Sequence, residues 1–293
     1  MLVTVGIPAY NEEKTIAKII VKLQEVVDKI IVCDDGSTDM TSEIAERLGA
    51  IVIKHQRNMG YGAAIGSLFL KAKEINSDIL VTLDADGQHR VEDVKSILEP
   101  ILSNKADIVI GSRFLGNNQK IPRYRKAGIK AITKLANTSL ESKITDSQSG
   151  FRAYNRRVLN EIIPSDHGMG VSSEILIKAS KKDFKIHEVP ITVLYEGNTS
   201  THNPLSHGIS VILSTMKFIS IERPLRFYGI PGFSFLAIGL FFIVWTLQIF
   251  GKSREIITNI SLIGIGSTIF GMILVMTAIM LYSIVNVVRE QKR

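Results

Sequence analysis

The chain of 293 residues contains only one cysteine, Cys33. A single thiol has no partner within the chain, so no internal disulfide framework can form, and a reducing compartment is the default expectation. The chain also lacks the glycine and proline excess of collagen-like or disordered proteins. At roughly 100–200 residues per domain, this length allows one large domain with an appendage, or two modest domains.

Two stretches near the C-terminus, Phe227–Phe250 and Ile256–Val288, contain no Asp, Glu, Lys or Arg. A membrane span needs about 20 consecutive, mostly apolar residues, so each stretch is long enough to cross a bilayer once. The short polar segment Gly251–Glu255 separates them. The pattern predicts a transmembrane hairpin with helices at about 227–250 and 258–288 within residues 227–293. The alternative is a helical hairpin buried in a soluble core, where charge-free runs of this length are rare.

Basic residues flank the two predicted spans and set their orientation. Because cytoplasmic flanks of membrane helices are rich in Lys and Arg, we expect both termini and the preceding domain to lie in the cytoplasm. Lys252 and Arg254 in the turn weaken this asymmetry without reversing it. Residues 204–226 are expected to form an amphipathic segment at the membrane surface, with a core helix as the alternative. The flanking basic residues are Arg223, Arg226, Arg289, Lys292 and Arg293.

Residues 1–203 have a different pattern, in which short β-branched runs alternate with helix-length amphipathic segments. This alternation predicts an α/β fold with a mostly parallel sheet covered by helices. No basic segment followed by a cleavage site precedes the first strand, so we expect no signal peptide. The predicted strands are Leu2–Ile7, Lys29–Val32, Ala50–Lys54, Ile79–Leu83 and Ile108–Ile110, and the predicted helices are Glu13–Val27, Thr41–Leu48, Ala63–Glu74 and Val91–Leu102.

Acidic clusters follow three of these strands, at Pro8–Glu13, Asp34–Asp39 and Asp84–His89. Ligands of such sheets bind beyond the carboxyl ends of the strands. Carboxylates gathered there repel one another unless a cation or hydrogen-bond donors are present. Asp84 and Asp86, with a neutral oxygen from Gln88, form a ligand set for Mg²⁺ or Mn²⁺, which takes further ligands from phosphate and water. Ordinary turn chemistry is the alternative for each cluster alone.

The ordered motifs of the chain resemble those of the family 2 glycosyltransferases, most closely the branch of dolichol-phosphate mannose synthase and polyprenyl-phosphate glycosyltransferases. The resemblance covers about the first 200 residues, and this family often appends C-terminal transmembrane helices. The motifs are Pro-x-Tyr-Asn-Glu, Asp-Asp-Gly-Ser-x-Asp, Asn-x-Gly-x-Gly-Ala-Ala, Asp-Ala-Asp-x-Gln-His, Gly-Ser-Arg and Ser-Gly-Phe-Arg.

The resemblance implies a GT-A fold, a nucleoside-diphosphate sugar as donor, a divalent metal, and inversion at the anomeric carbon. It implies a metal site at Asp84, Asp86 and Gln88. It implies catalytic roles for Asp86, Arg113, Asp146 and Arg125. It implies donor-binding roles for Pro8, Tyr10, Glu12, Asp35, Asp84, Arg113, Arg123 and Arg152. His202 is a further candidate for donor binding, at a segment where this chain departs from the family. Arginine suits phosphate because its planar fork contacts two oxygens at once.

Two acceptor classes remain open at this stage. A lipid phosphate is already anionic near neutral pH and needs no strong base, whereas a lipid or glycan hydroxyl needs a carboxylate base, for which Asp146 is the candidate. The membrane helices favour a polyprenyl (dolichyl-type) phosphate, with mannose or glucose delivered from GDP or UDP. The third alternative is a catalytically idle membrane scaffold. We expect no nucleic-acid partner, and a homo-oligomer is compatible with the sequence.

Two other features have ordinary explanations. Gly60–Gly66 is one residue too long for a dinucleotide fingerprint and follows the third strand, so we expect its small residues to let a helix approach the donor phosphates or the sheet. The histidines, His89 among them, have no zinc-ligand spacing.

The segment 196–204, where related synthases carry Arg or Lys on a mobile lid, has only His202 as a potential cation. His202→Ala is therefore expected to raise the donor KM or lower turnover. Steady-state kinetics with varied donor tests this, and an unchanged kcat/KM would remove His202 from the site.

Overall fold

The computed structural model describes residues 1–116, 121–140, 143–193, 204–255 and 257–290. The chain divides into two compact units, Met1–Met216 and Lys217–Arg293. The boundary lies inside the helix Pro204–Glu222, in the segment that the sequence predicts to lie at the membrane surface.

A seven-stranded sheet forms the centre of the first unit, and its strand order is β3-β2-β1-β4-β6-β5-β7. All neighbouring strands pair in parallel except β6, which is antiparallel to both β4 and β5. The strands are β1 (Val3–Ala9), β2 (Lys29–Asp34), β3 (Ile51–Lys54), β4 (Ile79–Thr82), β5 (Ile108–Ser112), β6 (Arg152–Asn155) and β7 (Ile186–Pro190).

Helices cover both faces of this sheet. Ile30 and Val32 of β2 belong to one buried cluster, whereas Ile31 and Cys33 belong to another, as expected when successive side chains point to opposite faces. A strand buried on both faces must be apolar at every position, which is why β2 has a continuous apolar run. The helices are α1 (Ile16–Leu23), α2 (Thr41–Arg47), α3 (Tyr61–Glu74), α4 (Val94–Leu102), α5 (Arg123–Asn137), α6 (Arg156–Glu161) and α7 (Val171–Lys181).

The predicted mostly parallel α/β fold is confirmed, and each predicted strand and helix has an observed counterpart. The short strand β6 was not predicted. Because it runs against its neighbours, its first residue, Arg152, pairs with Thr82 at the carboxyl end of β4. The segment before Arg152 therefore reaches the same sheet edge as the acidic clusters.

A topological switch point lies between β1 and β4. The chain places β2 and then β3 on one side of β1 and returns to place β4 on the other side. Loops diverge at such a point and leave a crevice beyond the strand ends. The residues after β1 and β4, which include Glu12 and Asp84, border this crevice.

The second unit contains α9 (Ile230–Ser253), preceded by a π-helical turn at Leu225–Gly229, and α10 (Thr258–Glu290). The segments Leu225–Ser253 and Thr258–Val288 are long and apolar enough to cross a membrane, and few of their side chains are buried. α9 ends at Arg254, which adopts a left-handed conformation with φ of 55°.

Small residues bring α9 and α10 into close contact. A Cβ placed on Gly239 would lie 2.7 Å from the backbone nitrogen of Thr268, and one on Gly271 would lie 2.8 Å from that of Leu236. Close backbone approach of this kind is how membrane helices associate where burial of apolar surface offers little advantage.

Helix α8 (Pro204–Glu222) covers most of the predicted interfacial segment. Within the first unit it buries Val211 and Thr215, four residues apart, while Leu213 is 62% exposed and Ile212 is also exposed. One face therefore packs against protein, and apolar side chains remain uncovered on another.

Candidate active site

The loops after β1 and β2 are fastened to each other at the sheet edge. Asn11 adopts a left-handed conformation with φ of 56°, which asparagine tolerates better than most residues. Its backbone nitrogen donates to Ser37 Oγ at 2.9 Å, and its side-chain oxygen accepts from the backbone nitrogen of Thr38 at 2.8 Å. The backbone nitrogen of Glu12 donates to Thr41 Oγ1 at 2.8 Å. The two loops therefore form one rigid border of the crevice.

Two residues expected at the nucleoside differ in exposure on this border. Pro8 is buried within β1, whereas Tyr10 is 47% exposed and available for stacking.

The pKa of Glu12 is above its ordinary value. Burial raises it most, a hydrogen bond from Thr15 lowers it, and the nearby charge of Asp86 raises it further, with smaller contributions from Asp39 and Asp84. Negative charge is therefore concentrated at the switch point.

Asp84 is held by two aromatic neighbours. Tyr61 Oη donates to Asp84 Oδ1 at 3.1 Å, and His89 Nε2 lies 3.6 Å from Asp84 Oδ2. Burial raises the pKa of Asp84, but the approach of His89, the Tyr61 hydrogen bond and the charge of Arg113 outweigh it, so the net pKa is below the ordinary value. Asp84 is therefore ionised at neutral pH.

Asp86 and Gln88 complete the predicted metal-ligating sequence. The backbone nitrogen of Gln88 donates to Asp86 Oδ1 at 2.9 Å, which fixes the turn between them. In the described part of the chain, no three His, Cys, Asp or Glu side chains form a metal-binding group. Two carboxylates, an amide oxygen and an acidic surrounding nevertheless fit Mg²⁺ or Mn²⁺, since these ions take several ligands from phosphate and water.

Gly150 packs directly against the Asp84 carboxylate. Its carbonyl accepts from Thr82 Oγ1 at 2.7 Å, which ties the segment before β6 to the end of β4. A Cβ at this position would lie 2.6 Å and 2.7 Å from the two Asp84 carboxylate oxygens and 2.7 Å from Tyr61 Oη. Only glycine fits without displacing the carboxylate.

Gly150→Ala is accordingly expected to lower kcat/KM by at least about tenfold, because a misplaced ligand at a preorganised site is costly. Steady-state kinetics on full-length protein tests this. Gly128→Ala on α5 is the matched control, since a Cβ there meets no atom within 4 Å. Equal kcat/KM in the Gly150→Ala variant and the wild type would contradict this description of Asp84.

Arg113, directly after β5, forms a bidentate ion pair with Asp146. Arg113 Nε donates to Asp146 Oδ2 at 2.7 Å and Nη2 donates to Oδ1 at 2.8 Å. The Asp146 side chain is fully buried, and that of Arg113 is 15% exposed. Glu188 of β7 accepts from the backbone nitrogens of Thr145 and Asp146 at 2.8 and 2.9 Å, which fixes the segment that carries the carboxylate.

The position of Asp146 bears on its suggested role as a base. Both of its oxygens already accept hydrogen bonds from the Arg113 guanidinium. The pairing fixes the position of the Arg113 side chain directly after β5.

Arg152 was expected to bind the donor but faces the protein interior. It is 1% exposed, and its guanidinium donates to the backbone carbonyl oxygens of Ser149, Ser172 and Ser147 at 2.8, 2.8 and 2.6 Å. These bonds organise the segment that contains Gly150. The contacts of Arg152 are those of a structural residue and not of a phosphate ligand.

Asp35 lies at the end of β2 with its carboxylate almost filled by protein donors. Its Oδ1 accepts from His55 Nδ1 at 2.6 Å and from the backbone nitrogen of Met59 at 2.9 Å. Its Oδ2 accepts from the backbone nitrogen of Gly60 at 2.8 Å. A carboxylate has about four acceptor positions, so one on Oδ2 remains for a nucleoside donor.

The structure does not describe the side chains of three residues that were expected in the site. Arg123 and Arg125 lie in the first turn of α5, which begins after Pro122. His202 lies outside the described residues.

A loop from a later part of the chain packs against the glycine-rich segment Gly60–Gly66. The backbone nitrogen of Gly62 donates to the His167 carbonyl at 2.9 Å. A Cβ on Gly62 would lie 2.0 Å from the Asp166 carbonyl oxygen and 2.6 Å from that of Gly168. These glycines therefore admit a loop from a hundred residues further along the chain, while Ala64 and Ile65 of the same segment pack in a buried cluster with residues of β2 and β4, as expected for a helix that approaches the sheet.

Sequence reasoning missed Tyr61, His89 and His55. The relevant signal was present for the first two, because His89 ends the Asp-Ala-Asp-x-Gln-His motif and Tyr61 lies within Asn-x-Gly-x-Gly. No spacing relates His55 to Asp35, since their contact follows from the pairing of β2 with β3.

The family model of glycosyl transferase family 2 matches residues 4–163, more than half of the chain. The chain belongs to glycosyltransferase family 2. This confirms the family that the motifs predict and establishes the chain as a glycosyltransferase. The matched residues include every strand end that borders the crevice.

Relatives and solved structures agree with this membership. A UDP-N-acetylglucosamine–dolichyl-phosphate N-acetylglucosaminyltransferase of Methanococcus voltae is 34% identical, with 72% of this chain and 91% of that protein covered. A dolichyl-phosphate hexose transferase of Haloferax volcanii is 31% identical, with 74% and 93% covered. Glucosyl-3-phosphoglycerate synthase from Mycobacterium tuberculosis, solved with Mn²⁺ and UDP-glucose, superposes with a TM-score of 0.59 at 24% identity, covering 74% and 78%, and confirms the fold.

Proposed function

We propose that this glycosyltransferase moves a hexose from a nucleoside-diphosphate sugar to a polyprenyl phosphate of the dolichyl type, with inversion, at the cytoplasmic face of a membrane. The observation that carries the proposal is the acidic crevice of Glu12, Asp84 and Asp86, with Arg113 at the carboxyl end of β5 in the same sheet. Two relatives more than 30% identical are named as dolichyl-phosphate sugar transferases, which supports the acceptor class.

The donor is proposed to bind with its nucleoside along the fastened loops after β1 and β2. Tyr10 offers an exposed ring for stacking, and Asp35 offers one acceptor position to a ring N–H or a ribose hydroxyl. Uracil and guanine both present a ring N–H, which fits the expectation of UDP or GDP. Mannose or glucose is the expected sugar, and the name of the Methanococcus relative adds N-acetylglucosamine to the donors worth testing.

The diphosphate is proposed to lie beyond β4. Asp84, Asp86 and Gln88 would hold Mg²⁺ or Mn²⁺, which would neutralise charge on the nucleoside-diphosphate leaving group. A protein of this fold solved with Mn²⁺ and UDP-glucose supports that assignment. His89 and Tyr61 keep Asp84 oriented and ionised, so that the ligand is ready before the donor arrives.

The acceptor phosphate needs no general base, because its oxygen is anionic at neutral pH. That oxygen attacks the anomeric carbon from the face opposite the diphosphate, the bond to the diphosphate oxygen breaks, and the configuration inverts. Arg113, oriented by Asp146, supplies positive charge where the two anionic phosphate groups approach. Catalysis of this kind rests on positioning and electrostatics.

The membrane location follows from the same acceptor. Two helices suited to crossing a bilayer would anchor the chain to the membrane that contains this lipid. Arg223 and Arg226 before the first span, and Arg289 after the second, favour a cytoplasmic catalytic unit. The uncovered apolar side chains of α8 support a position at the membrane surface.

A donor panel tests the function. Membranes containing the full chain are incubated with dolichyl phosphate and labelled GDP-mannose, UDP-glucose or UDP-N-acetylglucosamine, with Mn²⁺ or with chelator. The expected result is metal-dependent label in the lipid extract for one donor. Binding of a nucleotide sugar without transfer from any donor would support an idle scaffold and overturn the proposal.

A further inference from the structure

We propose that His55 is a positioning residue for the nucleoside end of the donor site, acting through Asp35. This inference rests on the proposed donor function. The ring of His55 connects three elements: Nδ1 lies 2.6 Å from Asp35 Oδ1, and Nε2 lies 2.8 Å from Ser67 Oγ on α3 and 3.6 Å from Cys33 Sγ on β2.

The protonation of one ring nitrogen follows from its partner. Because a carboxylate oxygen accepts hydrogen bonds, this contact assigns the donor role to His55 Nδ1. The His55 backbone is also fixed, because its nitrogen donates to the carbonyl oxygen of Asp34 at 2.9 Å. The N–H group of His55 Nδ1 therefore approaches the Asp35 carboxylate from one fixed direction.

The Nε2 side of the His55 ring is also held in place, by Ser67 and Cys33. Cys33 is buried, and burial raises the pKa of its thiol to about 12, with a further increase from the charge of Asp35. Cys33 therefore remains a neutral thiol beside Nε2. Ser67 and Cys33 thus hold the ring from α3 and β2 without placing a second charge next to Asp35.

The fixed ring of His55 determines how the remaining acceptor position of Asp35 is oriented. Met59 and Gly60 donate through their backbone nitrogens from the end of the β3–α3 connection. His55 begins the same connection, where its backbone nitrogen is bonded to Asp34 of β2, so its ring reaches Oδ1 from a position fixed to the sheet and fixes the carboxylate plane. The exposed fractions of the Asp35 and His55 side chains are 6% and 10%, so both groups are largely enclosed by protein. His55 thereby sets the direction in which Asp35 Oδ2 presents its free lone pair.

The test separates donor binding from turnover. His55→Ala is expected to weaken UDP or GDP binding about tenfold to a hundredfold, the cost of losing a hydrogen bond to a charged group, and to raise the donor KM by the same factor. We expect kcat and the acceptor KM to stay within about twofold, since the bond lies away from the reacting atoms.

His55→Asn, whose amide can donate from the position of Nδ1, is expected to recover most of the affinity. Ser67→Ala should cost less than about tenfold, because it removes a neutral partner.

His187→Ala on β7, an exposed histidine, is the matched control and should leave every constant unchanged. Calorimetric titration of the full-length protein in detergent with UDP and with GDP gives the affinities. Wild-type affinity in a folded His55→Ala variant, or an equal fall in kcat and in both substrate affinities, would overturn the inference. Wild-type protein that binds neither nucleotide would instead overturn the donor assignment, and the inference would fall with it.

Discussion

Asp86→Asn is expected to lower sugar transfer by at least about a hundredfold at saturating donor and acceptor, because a bound cation contributes several kcal/mol of charge stabilisation to a departing diphosphate. The amide is nearly the same size as the carboxylate but carries no charge. The backbone bond from Gln88 to residue 86 can still form to the amide oxygen, so the turn should persist. The measurement is initial rate against Mn²⁺ concentration with full-length protein in membranes.

Asp93→Asn is a matched control for that substitution. Asp93 follows the same motif along the chain but lies outside the predicted ligand set, and its side chain accepts from the backbone nitrogen of Thr192 at 3.0 Å. We expect its Mn²⁺ dependence to match that of the wild type. Wild-type rates from Asp86→Asn at every Mn²⁺ concentration would remove Asp86 from the metal site.

Asp146→Asn is expected to have the largest effect on stability. It leaves the Arg113 guanidinium with an amide in place of a fully buried carboxylate, and removing one partner of a buried ion pair typically costs about 3–5 kcal/mol. Transfer should also fall, because Arg113 loses the bidentate contact that orients it. The free energy of unfolding and kcat/KM should therefore decrease together in urea titration and in kinetics of the purified full chain.

The exposed ion pair between Glu43 and Arg47 supplies the comparison for Asp146. Its side chains are 50% and 77% exposed, and such pairs contribute roughly 0–1 kcal/mol. Glu43→Gln should change neither the unfolding midpoint nor the rate appreciably. If Asp146→Asn were as mild as Glu43→Gln in stability while abolishing transfer, Asp146 would be acting as a base, and a hydroxyl acceptor would be favoured.

The sheet edge was predictable from the sequence because it depends on local patterns. A strand buried on both faces, such as Ile30–Cys33, must be apolar throughout, and the residues that follow it must be polar. Strand direction then brings Glu12, Asp35 and Asp84 to one edge without any knowledge of side-chain packing. The charge-free stretches were equally local, since membrane spans are recognised by length and composition.

The contacts that complete the site are long-range, and no local pattern predicts them. The antiparallel direction of β6 brings Gly150 against Asp84, although its sequence Arg152–Asn155 has no apolar alternation. Arg152 resembles a phosphate ligand in sequence, but the segments around it offer three backbone carbonyls that need a donor. A buried guanidinium satisfies them, and this requirement becomes visible only when the chain is folded.

The acid stability of the glycolipid product tests the account most directly. Full-length protein in vesicles containing dolichyl phosphate is supplied with the labelled donor selected by the panel and with Mn²⁺, and the extracted lipid is treated with mild acid. A sugar linked through phosphate is released under these conditions, whereas a sugar linked to a lipid hydroxyl is retained. We predict complete release of the label; label that stays with the lipid would contradict transfer to a polyprenyl phosphate.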